Sequence, residues 1–208
     1  MMRRKEFNIE QQAEIEAFLH EIGYGFLGTL SEEGWPLVIP LNFVYYQEAV
    51  YFHGSKLGEK MRSLAADNRV SFSVAREFSQ IPSYWSDPKF ACPATLFFKS
   101  VLIRGRAELL TDLTEKAEAL TAFMEKLQPE GGYEQISPLD PGYAKHLLGT
   151  AVVKIAITDI SAKFKFGQNL KEERMQRLIG ELQERGEPLD EETISLMQRY
   201  CPRHKQGQ

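Results

Sequence analysis

The sequence predicts a mainly β fold with helices set between its strands, an α+β class whose closed form is a small β-barrel. Three observations carry this. Long period-two alternations run through Pro36 to Tyr46 and through Leu96 to Leu110. Turn clusters such as Ser31-Glu32-Glu33-Gly34 join strands that are neighbours in sequence. Helical spacing is confined to blocks between hairpins and does not alternate strand by strand as in a doubly wound sheet.

Taken in order, Asn8-Ile9-Glu10-Gln11 resembles a capping box, and Ala13, Ile15, Phe18, Leu19 and Ile22 follow at helical spacing. Gly23 and Gly25 stop that helix, and Phe26 to Leu30 reads as a first strand. From Pro36 to Tyr46, Leu37, Ile39, Leu41, Phe43 and Tyr45 share one face; Val38, Pro40, Asn42 and Val44 share the other. Glu48 to His53 answers as a third strand, giving an antiparallel meander. Leu57, Met61, Leu64 and Ala65 predict a helix ended by Asp67-Asn68, and Arg69 to Val74 returns to period two. In the long strand, Val101, Ile103, Gly105 and Ala107 oppose Leu102, Arg104, Arg106 and Glu108. Asp112 with Glu115 caps a helix to about Leu127, and Thr150 to Ile157 is a β-branched strand. About two helices follow Gly167 before a polar basic tail, Arg199 to Gln208. Two segments, Glu77 to Ala94 and Gln128 to Gly149, read as loops too long for ordinary connections.

Length and composition bound the function. A chain of 208 residues is one domain, or one domain with an appendage. A fold of that size buries roughly 70% of its extended surface and needs no staple. The sequence is 43% hydrophobic and 26% charged, ordinary for a globular protein. No apolar run approaches the roughly 20 residues that cross a bilayer, and no secretory signal follows Met-Met-Arg-Arg-Lys. A net charge of −4 gives no global field toward nucleic acid. Cys92 and Cys201 have neither disulfide-scaffold nor zinc spacing, so a reducing, cytoplasmic setting is expected.

The chemistry-bearing stretch is Tyr51-Phe52-His53-Gly54-Ser55-Lys56-Leu57-Gly58-Glu59-Lys60, a strand entering a helix start. Helix N-terminal N–H groups favour an anion, and serine and lysine add donors and charge. A phosphate cradle and a plain Ser55 cap with solvated lysines both fit. Pro40 inside a strand pattern marks an edge whose unpaired backbone groups, with Asn42, can meet a polar heterocycle; taken alone, these residues fit an exposed edge strand protected from aggregation better. Arg104 and Arg106 share one face, as anion ligands or as a solvated exterior. His20, His146 and His204 lack metal-ligand spacing, and Cys92 has no base nearby. Binding groups without a protein-borne nucleophile point to chemistry carried by a cofactor.

The ordered segments Tyr24-Gly-Phe-Leu-Gly-Thr-Leu, Gly34-Trp-Pro-Leu-Val-Ile-Pro-Leu-Asn-Phe, Val50-Tyr-Phe-His-Gly-Ser-Lys-Leu-Gly-Glu-Lys and Asn68-Arg-Val-Ser-Phe-Ser-Val resemble the pyridoxamine 5'-phosphate oxidase-like superfamily, and within it the nitroimidazole-resistance (Nim-type) branch. Ser100-Val-Leu-Ile-Arg-Gly-Arg-Ala fits the same branch. Lys163-Phe-Lys-Phe-Gly-Gln-Asn resembles a segment after the last barrel strand of FMN-binding relatives. The resemblance implies an FMN-binding split β-barrel over residues 1–166 with a helical extension over 167–208. It also implies a homodimer holding FMN at the subunit interface.

Under that resemblance Val38, Ile39, Pro40, Leu41 and Asn42 lie along the isoalloxazine ring. His53, Gly54 and Ser55 line the same site, Ser55 and Lys60 reach the phosphate, and Phe98, Lys99 and Ser100 contribute around phosphate or ring. Tyr84, Trp85 and Phe90 are candidates to cover the open flavin face. The implied activity is FMN-dependent oxidoreduction, from NAD(P)H or another donor to a small flat acceptor such as a nitro-aromatic. Two alternatives stand beside it: a haem protein using His53 or His204, and a non-enzymatic FMN-responsive regulator or flavin store. The pattern that recognises pyridoxal phosphate in the oxidases is not visible, so vitamin B6 synthesis is not expected.

Overall fold

The computed structural model describes residues 4–201. Its strands are β1 (Asn8–Ile9), β2 (Tyr24–Leu30), β3 (Pro36–Asn42), β4 (Val44–Tyr46), β5 (Ala49–Gly54), β6 (Arg69–Ile81), β7 (Thr95–Leu109) and β8 (Ala151–Lys165). Its helices are α1 (Gln12–Glu21), α2 (Glu59–Ala66), α3 (Leu113–Leu127), α4 (Pro141–Gly149), α5 (Glu172–Arg185) and α6 (Asp190–Tyr200). The strands form one sheet in the order β3-β2-β6-β7-β8-β5-β4, with β1 added on β8. The expected mainly β, α+β class is the one the chain adopts.

The chain divides into two compact units. The first comprises residues 11–74 and 101–161, the second residues 4–10, 75–100 and 162–201 of the described chain. In the first, Leu27, Val50, Phe52, Phe72, Ile103 and Ile155 are fully buried, and Phe43 meets Phe72 edge-on with centroids 4.9 Å apart. In the second, Phe78, Phe97 and Tyr200 pack around Phe166 at centroid separations of 5.1, 6.1 and 5.7 Å.

Most predicted elements form where local signals place them. Asp112 caps α3 by accepting from the Glu115 N–H at 2.8 Å, and Gly34 closes the β2–β3 turn at φ 85°. Four expectations are corrected. Asn8 does not cap α1; it pairs with Lys163 in β1–β8, and its amide donates to Glu10 at 2.9 Å. The meander stops at β3, because Phe43 breaks the run and β4–β5 form a separate hairpin. That hairpin turns through Gln47 and Glu48, both left-handed at φ 45° and 57°, as a two-residue primed turn requires. Strand β5 buries Ala49 to Phe52 on both faces; β4 and β8 pair with its two edges, and Tyr51 packs in one core cluster with Ala119 and Phe123 of α3.

The other two corrections concern the supposed long loops. Strand β6 continues to Ile81, into the stretch that read as a loop from Glu77. Helix α4 occupies Pro141–Gly149, with Pro141 in its first turn and Asp140 accepting from the Tyr143 N–H at 2.9 Å.

Helices α5 and α6 are locked by one buried carboxylate. Asp190 is 2% exposed and accepts from Ser79 Oγ at 2.5 Å, Arg185 Nη2 at 2.5 Å, Arg185 Nε at 2.9 Å and the Glu187 N–H at 2.9 Å. Burial pushes this carboxyl up, but Arg185, Ser79 and the Glu187 N–H together hold it below the usual range. With its folded pKa depressed, Asp190 contributes stability that is present above the unfolded carboxylate pKa and lost as pH falls through the folded one. Asp190→Ala should cost about 3–5 kcal/mol, since it strands the Arg185 charge; urea unfolding read at pH 7 checks this. A loss below about 1 kcal/mol would show that the network is solvated instead.

Gly105 serves a close strand approach. A Cβ there would lie 2.5 Å from the Ala156 carbonyl oxygen and 2.6 Å from Ile155 Cγ2. Gly105→Ala should therefore destabilise by about 1–3 kcal/mol through forced backbone shifts, seen as a lower thermal midpoint. An unchanged midpoint would mean β7 and β8 can part at no cost.

Candidate functional site

Strand β3 supplies an open edge. It has β2 as its sole neighbour in the sheet order, with Pro40 opposite Phe26 and Val38 opposite Gly28. Leu37, Ile39 and Leu41 are half-buried, whereas Val38, Pro40 and Asn42 are exposed, Val38 by 69%. Among the described residues the outer edge of β3 therefore has no strand on its backbone groups, as Pro40 implied.

Near the end of β5 stands the second group of residues. His53 is registered with Val152 and Gly54 with Ala151. The exposed His53 side chain sets its ring edge-on to Phe123, with centroids 4.9 Å apart. Partial burial of the ring, and then the Lys60 charge, hold its pKa below the usual histidine value. Ser55 is exposed and its hydroxyl accepts from the Leu57 N–H at 3.1 Å. It closes a turn and leaves the helix start to Gly58, whose φ of 116° favours glycine. Helix α2 thus opens with no side chain capping its first N–H groups.

Lys60 is the distinctive member. It is half-buried, its Nζ lies 5.0 Å from the centre of the Phe52 ring, and it has no anionic or hydrogen-bonding partner among the described residues. Burial holds its pKa below the usual lysine value. A Cβ added at Gly54 would sit 3.6 Å from this ammonium, so the glycine leaves the space beside it open. One turn on, the Ser63 hydroxyl is fully buried with no hydrogen-bond partner. An unpaired, partly dehydrated cation beside a bare glycine and an uncapped helix start suits a phosphate group.

Arg104 and Arg106 lie on the exposed face of β7. Arg104 faces Asp159 at 3.8 Å and Arg106 donates to Asn68 at 3.2 Å. Both line an open groove of about 640 Å³ that also takes in Val38, Arg69, Ser71 and Thr158. The sequence reading did not single out Thr29, which also lines this groove and whose buried hydroxyl has no partner. Its place among the apolar positions of β2 was the available signal.

Phe98, Lys99 and Ser100 are half-buried on β7 in the second compact unit. The Lys99 ammonium lies 5.5 Å from the Phe78 ring centre and 5.3 Å from that of Phe164. Tyr84 and Phe90, in the same unit, are 67% and 55% exposed, and Trp85 stacks under Arg185 at 4.9 Å. Among the described residues no cluster of His, Cys, Asp and Glu is arranged to hold a metal ion, and no helix is long and apolar enough to cross a membrane. His20 packs edge-on against Tyr45, and His204 lies outside the described residues.

Similar proteins bear on this geometry. The family model described as pyridoxamine 5'-phosphate oxidase matches residues 11–164. The protease synthase and sporulation protein PAI 2 of Bacillus subtilis (strain 168) is 26% identical over 202 residues, covering 93% of this chain and 95% of that protein. Two solved structures share the fold. The flavocytochrome Anf3 of Azotobacter vinelandii has a TM-score of 0.67 at 28% identity, over 85% of this chain and 78% of that one. A protein of Bacteroides thetaiotaomicron VPI-5482 named for 5-nitroimidazole antibiotic resistance has a TM-score of 0.60 at 26% identity, over 75% and 85%. The family match runs from α1 into β8 and takes in both the open edge of β3 and the unpaired lysine of α2; the chain belongs to the pyridoxamine 5'-phosphate oxidase family and has its split-barrel fold.

Proposed function

We propose that this chain is an FMN-dependent oxidoreductase that works as a cytoplasmic homodimer, with residues 1–166 as the flavin-binding domain and 167–208 as a helical extension. The observation that carries the reading is Lys60, a half-buried ammonium with no partner among the described residues, beside Gly54. The names of the Anf3 and nitroimidazole-resistance relatives support a flavin and a nitro-aromatic acceptor respectively. When bound, FMN supplies hydride and electron transfer from a donor such as NAD(P)H to that acceptor.

The chain's own residues bind and orient. Lys60, Gly54 and Ser55 take the phosphate, with the uncapped start of α2 adding its positive end. Val38, Ile39, Pro40, Leu41 and Asn42 present the free β3 edge to the polar side of the ring. His53, its pKa held below the usual histidine value by partial burial and then by the Lys60 charge, offers a hydrogen bond to the ring. In the homodimer, Phe98, Lys99 and Ser100 of the partner subunit contribute around phosphate or ring, and Tyr84, Trp85 and Phe90 are the candidates to cover the open flavin face.

A protein that retains two flavin absorption bands after FMN addition and desalting meets the expectation; one that retains none overturns it. A retained Soret band after haemin would give the haem alternative the lead. Lys60→Gln should weaken FMN roughly 10–100-fold, the worth of one charge-assisted hydrogen bond. Lys60→Met should do the same while raising the thermal midpoint of the flavin-free protein by about 2–4 °C, because an uncompensated buried charge is removed. A Lys60→Met protein that keeps FMN and gains no stability would show the lysine to be an ordinary solvated side chain.

The lowered Lys60 pKa also sets a pH window. The ammonium that holds the phosphate is lost as pH rises through a value below the usual 10.5, so FMN affinity should begin to fall earlier than an ordinary lysine allows. Flavin fluorescence titrated between pH 7 and 10 checks this, and Lys60→Arg should flatten the decline.

A second reading, an FMN-responsive regulator without turnover, is favoured by the Bacillus subtilis relative. Its likeness covers 93% of this chain, and its name concerns protease synthesis and sporulation. Stoichiometric FMN with no turnover across nicotinamide donors and nitro-aromatic acceptors would decide for it.

A further inference from the structure

The open groove of about 640 Å³ that holds Arg104 and Arg106 lies wholly within the first compact unit. The flavin reading uses only Val38, at one end of it. Strand register shows how the groove is built. Gly28 of β2 stands opposite both Val38 of β3 and Ser71 of β6, so these three share one outward face. On β7, Arg104 and Arg106 are exposed and alternate with buried Ile103, Gly105 and Ala107, which sends both guanidinium groups outward. In the order β3-β2-β6-β7, two strand spacings, about 10 Å, separate β2 from β7.

Gly28 gives the first sign of a ligand. Its backbone is not left-handed, and a Cβ there would meet Ser71 alone, its carbonyl oxygen at 3.5 Å and its Cβ at 3.6 Å. These are ordinary contacts, so packing does not require a glycine. A bare position inside a strand weakens it and marks a place where something approaches the backbone closely. Leu30 and Pro36, paired on the same face, continue the floor as a flat apolar surface.

Charge gives the second sign. Arg69, Arg104 and Arg106 line the groove, and no aspartate or glutamate does. Asp67 binds Arg69 through two prongs, accepting from Nη2 at 2.6 Å and from Nε at 3.0 Å. Asp159 stands 3.8 Å from Arg104, too far for a hydrogen bond. Arg106 donates to the Asn68 side-chain oxygen at 3.2 Å, a neutral partner, although the Asp67 charge also feels it. Three guanidinium groups thus face two carboxylates, which leaves one positive charge for a ligand. A planar guanidinium fork with one charge to offset matches a single carboxylate.

We propose that this groove holds the electron acceptor and that the acceptor is a flat aromatic acid. Its ring lies over Gly28 beside Val38, and its carboxylate meets Arg104 and Arg106. The role as acceptor rests on the flavin reading; the carboxylate site does not. Val38 is common to the groove and to the β3 edge given to the isoalloxazine ring, so the two ligands lie side by side.

Isothermal titration of the full-length protein with para-nitrobenzoate tests it, once with oxidised FMN and once without flavin. Para-nitrotoluene serves as the uncharged counterpart, and para-nitrophenyl phosphate as the dianion. The benzoate should bind one per chain, about tenfold or more tightly than the toluene, and more weakly as salt is raised. Arg104→Gln and Arg106→Gln should each remove most of that preference and leave FMN retention unchanged. Gly28→Ala should weaken both nitro-aromatics without lowering the thermal midpoint, since the added methyl fills the floor and leaves the core as it is. No binding of the benzoate, equal binding of benzoate and toluene, or a preference that survives both arginine variants would overturn the site. Tighter binding of the phosphate would overturn the carboxylate assignment. A Gly28→Ala protein that binds both compounds normally would overturn the placing of the ring. FMN absorbance in the same samples reports on the flavin separately: benzoate held by protein that keeps no FMN would overturn the acceptor role and leave the carboxylate site standing.

Discussion

Three unusually long strands govern this molecule. Strands β6, β7 and β8 run 13, 15 and 15 residues, and each passes from one compact unit into the other. Along such a length a strand meets different neighbours, so the burial of its two faces can change from stretch to stretch. Strand β8 shows this. Ala151 to Val153 is buried on both faces, Thr158 and Asp159 are exposed, and Ala162 to Lys165 alternates cleanly. Each stretch answers to different neighbours: β5 pairs with β8 as far as Ala156, and β1 takes Ala162 and Lys163. The close approach at Gly105 belongs to the same constraint, since a side chain there would push β7 off its neighbour.

How the chain treats its other dehydrated lysines gives Lys60 its meaning. Lys116 is 4% exposed and donates to the carbonyls of Leu147 and Thr150, both at 3.0 Å. Lys126 donates to the carbonyls of Ile22 at 2.6 Å, Leu19 at 3.3 Å and Phe43 at 3.4 Å, while burial pushes its pKa down to about 8. Both sit at element ends, where they satisfy carbonyls that would otherwise lack donors. Lys60 has the burial without the carbonyls. A charge partly removed from water and met only by the Phe52 ring is compensated less than one that donates to carbonyls. The same contrast separates Lys165, whose one partner is a neutral hydroxyl, from these structural lysines.

Local chemistry was legible in the sequence and tertiary convergence was not. Asp112 and Glu115 read correctly as a helix start because the cap is formed by residues three apart. Asn8 carried the same signal and failed, because pairing with β8 offered its backbone a competing partner. Helix α4 was missed although Asp140-Pro141 is a sound helix start; the surrounding prolines and glycines outweighed it. Strand β6 was cut short because Ala75-Arg76-Glu77 interrupts its apolar alternation. At the candidate site, the Gly-Ser-Lys stretch and the edge-marking proline were visible as residues. That Lys60 lacks a partner among the described residues depends on residues far apart in the chain.

Membership of a family fixes the fold and leaves the chemistry to the site. The family match ends within β8, whereas the Bacillus subtilis likeness covers 93% of the chain. Helices α5 and α6 lie in that remaining stretch, and Asp190 holds them to Ser79 at the end of β6. A polar lock of four hydrogen bonds on one buried carboxylate is a demanding way to attach two helices, because every partner must be present for it to be favourable. Apolar packing alone, from Leu178, Leu182 and Met197, would hold them with less orientational demand. The lock therefore fixes the direction of the two helices as well as their contact.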